Sequence, residues 1–310
     1  MKRFLKILLY SVLVLIVVLP FVNDKERIQL DDAYRKQTGS TFLETPDGFV
    51  HYQLGGNPDG EVVVFIHGFS MPLFIFEPLA KLLEKEGYRT LRIDLFGRGL
   101  SDRPDTTYDP DLFKRQILNT LDGLKIQSPV NLVGTSMGGI VVTRFALDEP
   151  KRVKRLVLIA PAGFPMDLPL IGKITRLPWV GEYLMKTLGD RTLLKGTKTS
   201  FYNMGKFPDF DRQFSEQMEI KGFKRAILSS LRNMKLESFL DEYKLLGGLK
   251  LPKLLIWGRE DKVVPFSNSG LALEVLPDTV FFPLDALGHI PHYEAPEVVA
   301  KGLLAFLKKN

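Results

Sequence analysis

The 310-residue sequence contains no cysteine. That excludes disulfides, a lipid-modified cysteine and a zinc–thiolate site, and it leaves the compartment open. No run of Lys and Arg is interleaved with aromatic residues, although the formal net charge is +6. The chain is therefore not read as a nucleic-acid binder; a mild basic excess suits an anionic membrane surface. Internal repeats and low-complexity linkers are also missing. So are small residues after the apolar run at 7–22: the first alanine is Ala33, and Leu19-Pro20-Phe21-Val22 is bulky throughout. A cleaved signal peptide needs small residues there. With 45% hydrophobic residues, a chain of this length can bury a large core without staples.

The apolar run follows Lys2, Arg3 and Lys6. As a helix, its sixteen residues cover about 24 Å, short of a hydrocarbon core of about 30 Å. Adding Phe4 and Leu5, with Lys6 snorkelling to the headgroups, closes most of that gap. We expect residues 1–23 to be an uncleaved, single-pass signal anchor. The basic start favours an inside N-terminus, with the rest of the chain on the exported side. Lys25, Arg27, Arg35 and Lys36 beyond the span work against that orientation.

A polar spacer is expected over 24–40. Beyond it, strand patterns at 49–54, 62–67, 88–94 and 153–160, with an apolar run of Val130, Leu132 and Val133 entering Gly134, alternate with helical patterns at 77–86 and 110–126 and in the apolar segment that leaves Gly138 and stops at Pro150. "VVVFIH" is almost continuously apolar, as a strand covered on both faces should be. The alternation lapses over 163–250, which is rich in aromatics and methionine and reads mainly helical. It resumes at "PKLLIWG", "SNSGLALEVLP", "TVFFPL" and "PEVVAKGLLAFLKK". Such alternation marks an α/β fold, a mostly parallel sheet with helices on both faces. We expect a core of 41–162 and 251–310 carrying a helical insertion at 163–250.

The sharpest local signal is "GTSMGG", Gly134 to Gly139, between an apolar strand and a helix. G-x-S-x-G at that junction reads either as a strand-to-helix turn that needs glycine for backbone room or as a nucleophile elbow, in which Ser136 sits on a strained bend and the glycines let strand and helix approach. An elbow needs partners. Asp261 follows the strand "PKLLIWG", and His289 follows "TVFFPL". Catalytic groups in a parallel sheet collect at the carboxyl ends of strands. The order serine, acid, histidine is the one such hydrolases use. Histidine can accept and return a proton near neutrality, and a carboxylate fixes its tautomer. Upstream, "FIHGFSM" offers the backbone N–H of Phe69, and Met137 follows the serine; two such donors form an oxyanion hole.

Rival assignments are specific. His292 competes with His289, and Glu260 with Asp261. His67 is read as shaping the turn before Phe69, His51 as exposed, and Trp257 as core. Asp94 and Asp102 are read as holding the "FGRG" loop by hydrogen bonds. In the insertion, Met166, Leu170, Trp179 and Phe207 are expected to line an apolar pocket above Ser136, suited to an acyl chain or aromatic group.

The stretches "HGF", "DLFGRGLSDRP", "GTSMGG", "WGREDKVVP" and "GHIPHYEAPE" make residues 41–310 resemble the α/β-hydrolase family. The resemblance implies an eight-stranded, mostly parallel sheet with a lid inserted after the sixth strand. "GTSMGG" with an N-terminal membrane segment is similar to membrane-anchored monoacylglycerol lipases. The second and fourth stretches are equally similar to carbon–carbon bond hydrolases of aromatic degradation, and to esterases. Epoxide hydrolases and haloalkane dehalogenases carry aspartate at the elbow, where this chain has Ser136. The expected activity is cleavage of carboxylic esters with an apolar acyl part, without metal or organic cofactor. The alternatives are carbon–carbon bond hydrolysis of vinylogous diketones and a non-catalytic binding protein on the same fold.

Overall fold

Short apolar runs bounded by glycine, proline and aspartate build a single sheet in the computed structural model, which describes residues 2–309. Among the described residues it has eight strands in the order β1-β2-β4-β3-β5-β6-β7-β8. These are β1 (Thr41–Thr45), β2 (Gly48–Gly56), β3 (Val62–Ile66), β4 (Arg89–Ile93), β5 (Val130–Thr135), β6 (Val153–Ile159), β7 (Lys253–Gly258) and β8 (Thr279–Leu284). β1 and β2 form an antiparallel hairpin, β2 runs antiparallel to β4, and the remaining pairs are parallel. The expected eight-stranded, mostly parallel architecture is present. β3 and β5 lie at its centre, and Val63 to Ile66 are fully buried. Burying each such side chain contributes about 2 kcal/mol.

Helices cover both faces. In chain order they are α1 (Lys2–Asn23), α2 (Asp32–Thr38), α3 (Glu77–Lys85), α4 (Pro110–Gly123), α5 (Met137–Asp148), α6 (Leu170–Thr175) and α7 (Val180–Thr199). Then come α8 (Phe210–Glu216), α9 (Phe223–Asn233), α10 (Leu240–Gly247), α11 (Asn268–Val275), α12 (Pro291–Glu294) and α13 (Pro296–Leu307). One core cluster joins the sheet to α4, α5, α10 and α11, and the other joins it to α3, α8 and α13. The segment 163–250 is not all cover. α10 belongs to the layer beside α5, where Tyr243 stacks on Phe164 at 4.7 Å and donates to Ala162 O at 2.6 Å.

α1 is long and apolar enough to cross a membrane. Its end is tied to the insertion, where Asn23 Nδ2 donates to Thr187 O at 3.1 Å. The segment expected as a polar spacer is built into the fold. Arg27 and Ile28 N–H donate to Glu219 O, and Glu26 accepts from the N–H of Gly222 and Lys224. Lys224, itself buried, pairs with Asp24 at 2.8 Å and Asp190 at 3.1 Å. Asp31 then caps α2 through Tyr34 N–H.

Candidate active site

Only Ser136 separates β5 from α5, and its backbone has φ 53° and ψ −122°. A non-glycine residue there costs on the order of 1–3 kcal/mol, so the surroundings must hold it. They do: Ser136 N–H donates to Ile159 O, and Ser136 O accepts from Gly139 and Ala162 N–H at 2.9 and 3.0 Å. A Cβ at Gly134 would lie 2.4 Å from Gly138 O, and one at Gly138 2.2 Å from Ile66 O. Both positions therefore require glycine. The bend aims Ser136 at the start of α5, where the first amides, beginning with Met137 N–H, have no partner within the helix. That end of the helix dipole favours negative charge.

Asp261 follows β7, and its Oδ2 lies 2.7 Å from His289 Nδ1. Its Oδ1 accepts from Val263 and Val264 N–H at 2.8 and 2.9 Å, so three donors fix the buried carboxylate. With Nδ1–H given to Asp261, the neutral ring keeps its lone pair on Nε2. Backbone contacts secure the loop that carries His289. His289 N–H donates to Ser200 O at 2.8 Å, while Glu294 accepts from Gly288 and Tyr202 N–H, each at 2.8 Å. Burial raises the Glu294 carboxyl, and these N–H donors pull it back only in part.

Ser136 and His289 share one cavity of about 200 Å³, lined also by Phe69, Met71, Ile75, Leu193, Val263 and Ile290. The Met137 side chain is fully buried in the core; what it offers the site is backbone. The loop that presents Phe69 is held by His67, whose Nδ1 lies 2.9 Å from Gly68 O and whose Nε2 accepts from Leu95 N–H at 2.9 Å. Burial pushes His67 down to about 4, so the ring is neutral and both nitrogens are used.

The rivals stand apart. His292 stacks on Phe76 with ring centroids 4.5 Å apart, and neither ring nitrogen has a partner among the described residues. Burial, with the neighbouring His289, pushes it down to about 3. Glu260 accepts from Leu287 N–H at 3.1 Å instead of reaching His289. Asp94 does hold the loop between them, accepting from Leu100 N–H as well as from Leu73 N–H, whereas Asp102 reaches it through its backbone O, which accepts from Gly97 N–H at 2.8 Å, while its carboxylate accepts from Phe49 N–H of β2. Trp257 is core.

Two expectations need correction. His51 is only 5% exposed, with Nδ1 2.6 Å from Asp94 Oδ2. Burial raises Asp94, but His51 and the Leu73 N–H more than offset it and hold the carboxyl below its ordinary value. The other correction concerns the pocket. None of Met166, Leu170, Trp179 and Phe207 lines the cavity at Ser136. Leu170 is 71% and Trp179 86% exposed, and Phe207 packs on Phe201 and Tyr293. The cavity is instead lined on the insertion side by small residues of α7, Thr192, Gly196 and Thr197, which leave room where large side chains would fill it. A second cavity of about 150 Å³, walled by Ile171, Leu184, Leu188 and Ile227, shares Phe69, Thr192 and Leu193 with the first. The apolar space runs along one face of α7, and neither aromatic content nor size marks that face in sequence.

Residues 61–296 match the family model described as alpha/beta hydrolase fold. The chain is 28% identical over 279 residues to Lipase 1 of Psychrobacter immobilis, covering 86% of this chain and 83% of that one. It is 31% identical over 231 residues to the 2-hydroxy-6-oxononadienedioate/2-hydroxy-6-oxononatrienedioate hydrolase of Paraburkholderia phymatum, covering 71% and 77%. The solved enol-lactonase from Burkholderia xenovorans LB400 superposes with a TM-score of 0.75 at 21% identity, over 87% of this chain and 100% of that one.

Proposed function

Since the chain belongs to the alpha/beta hydrolase fold family, we propose that it is a serine hydrolase cleaving carboxylic esters with an apolar acyl group. The observation that carries this reading is the 2.7 Å pair of Asp261 and His289 at the cavity that Ser136 also lines. A serine hydroxyl is a poor nucleophile until a base takes its proton. His289, oriented through Nδ1 by Asp261, takes it on Nε2 as Ser136 Oγ attacks the ester carbonyl. The N–H groups of Phe69 and Met137 hold the oxyanion; one such donor lowers the barrier by about 3–4 kcal/mol. Collapse expels the alcohol, which leaves with the proton from His289. Water, deprotonated by the same ring, attacks the acyl carbon and releases the acid.

One observation favours a second reading, carbon–carbon bond hydrolysis of a vinylogous diketone by the same three residues: the 31% identity to the dienedioate hydrolase. The substrate named for that relative carries two carboxylates. Among the described residues the cavity at Ser136 has no Lys or Arg in its lining, which supports the neutral ester. The α1 anchor fits this reading. If α1, which is long and apolar enough to cross a membrane, is the anchor, its end against α7 would hold the insertion beside the bilayer, where apolar esters partition.

A fluorophosphonate probe tests the proposal. Wild type should be labelled at neutral pH and Ser136→Ala should not. A folded wild type that stays unlabelled would abandon the serine-hydrolase reading. A panel of glycerol esters of rising acyl length against vinylogous diketones then separates the two chemistries, and turnover of diketones alone would replace the ester reading.

A further inference from the structure

An oxyanion donor works only if it is aimed before the charge forms. The peptide unit is planar, so holding a carbonyl oxygen fixes the N–H on the opposite side of the same plane. In the loop after β3, three consecutive carbonyls are held by side chains. Gly68 O is held by His67 Nδ1 at 2.9 Å, Phe69 O by Arg98 Nε at 2.8 Å, and Ser70 O by Gln217 Nε2 at 2.8 Å. The first of these planes contains the Phe69 N–H. The next two block the compensating rotation that a flip of the first would need.

Two of the three anchors depend on the insertion. Gln217 lies in a 3-10 turn, Gln217–Glu219, between α8 and α9, and its Oε1 accepts from Gly99 N–H at 2.9 Å, so its amide is used at both ends. Arg98 is wholly buried. Its Nη2 donates to Ser230 Oγ of α9 at 2.8 Å, and its Nη1 to Phe96 O at 3.1 Å. Its guanidinium lies 5.8, 6.0 and 5.5 Å from the ring centres of Phe69, Tyr108 and Phe113. Among the described residues no carboxylate pairs with it. A buried cation without an anion needs every acceptor it has, so losing Ser230 Oγ must shift the whole group.

We propose that Gln217 directly, and Ser230 through Arg98, are positioning residues by which the helical insertion aims the Phe69 amide at the oxyanion. This rests on the serine-hydrolase reading above. On this account the insertion covers the cavity and also completes the catalytic loop, so insertion packing and turnover rate are coupled.

Gln217→Glu keeps the acceptor for Gly99 but sets a carboxylate oxygen against Ser70 O. Ser230→Ala removes one oxygen from α9. For a short-chain p-nitrophenyl ester, each should lower kcat by about ten-fold or more while KM stays within about two-fold, since misaiming a donor harms the transition state and not ester binding. Affinity for a boronic acid mimic of the tetrahedral intermediate should fall by the same factor as kcat/KM. Ser230→Thr, which keeps the hydroxyl, should restore kcat. A role in packing alone would lower the melting temperature or raise KM without moving kcat of the folded protein. If Gln217→Glu does not fold, Ser230→Ala carries the test. Folded variants with unchanged kcat and boronate affinity, in an enzyme whose wild type reacts with fluorophosphonate, overturn this inference and leave the hydrolase reading standing. A wild type that does not react overturns both.

Discussion

His289 and His292 lie three positions apart and meet opposite environments. His289 has a carboxylate partner and borders a cavity, whereas His292 is sealed against Phe76 and neither of its nitrogens has a partner among the described residues. A ring pushed down to about 3 resists protonation in the folded state. The unfolded chain takes up that proton near the ordinary value of about 6.5, so below that pH it binds more protons than the folded chain. Stability is therefore complete above about pH 6.5 and falls on acidification toward about 3, by about 1.4 kcal/mol per pH unit for this group. His67, pushed down to about 4, adds the same slope over the narrower window from about 6.5 to about 4. His292→Phe keeps the stack and removes both orphan nitrogens. Denaturant unfolding between pH 7 and 4 should show a flatter acid limb for this variant, with ester turnover unchanged. An unaltered limb would contradict the burial argument.

At the scale of elements, the segment that joins α1 to the sheet is part of the fold. A chain truncated to begin at Asp24 keeps Asp24 and Glu26 on Lys224 and on the N–H groups of Gly222 and Lys224. One beginning at Gln29 loses both carboxylates, leaves the buried Lys224 with Asp190 alone and strands the two amides, each lost partner costing about 1–3 kcal/mol. The shorter chain should melt lower by several degrees, as differential scanning calorimetry would read; equal melting temperatures would contradict the account. These contacts span nearly two hundred positions of sequence, so no local pattern announces them. Local signals were legible for the opposite reason. The strands, the bend at Ser136 and the positions of Asp261 and His289 depend on apolar runs and on glycines within a few residues. Which face of α7 borders the cavity depends on how the insertion packs, and so do the partners of Arg98 and Gln217. That is why the sequence points to Met166, Leu170, Trp179 and Phe207 where Thr192 and Gly196 stand, and to an exposed His51 where the ring is buried.

At the scale of the whole molecule, a parallel sheet brings together groups that the chain keeps 125 and 28 positions apart, from Ser136 to Asp261 and from Asp261 to His289. β5, β7 and β8 all end at one rim, and the insertion closes over it from α7. The claim on which the function rests is that Ser136 and His289 act as one unit at that rim. The most direct measurement is kcat/KM on an apolar ester for Ser136→Ala, His289→Ala and the double variant, each checked for folding. A unit loses nearly everything at the first removal, so each single variant should fall by about 10⁴-fold or more and the double variant no further. Losses that multiply in the double variant, or a folded His289→Ala that keeps most of its activity, would contradict it.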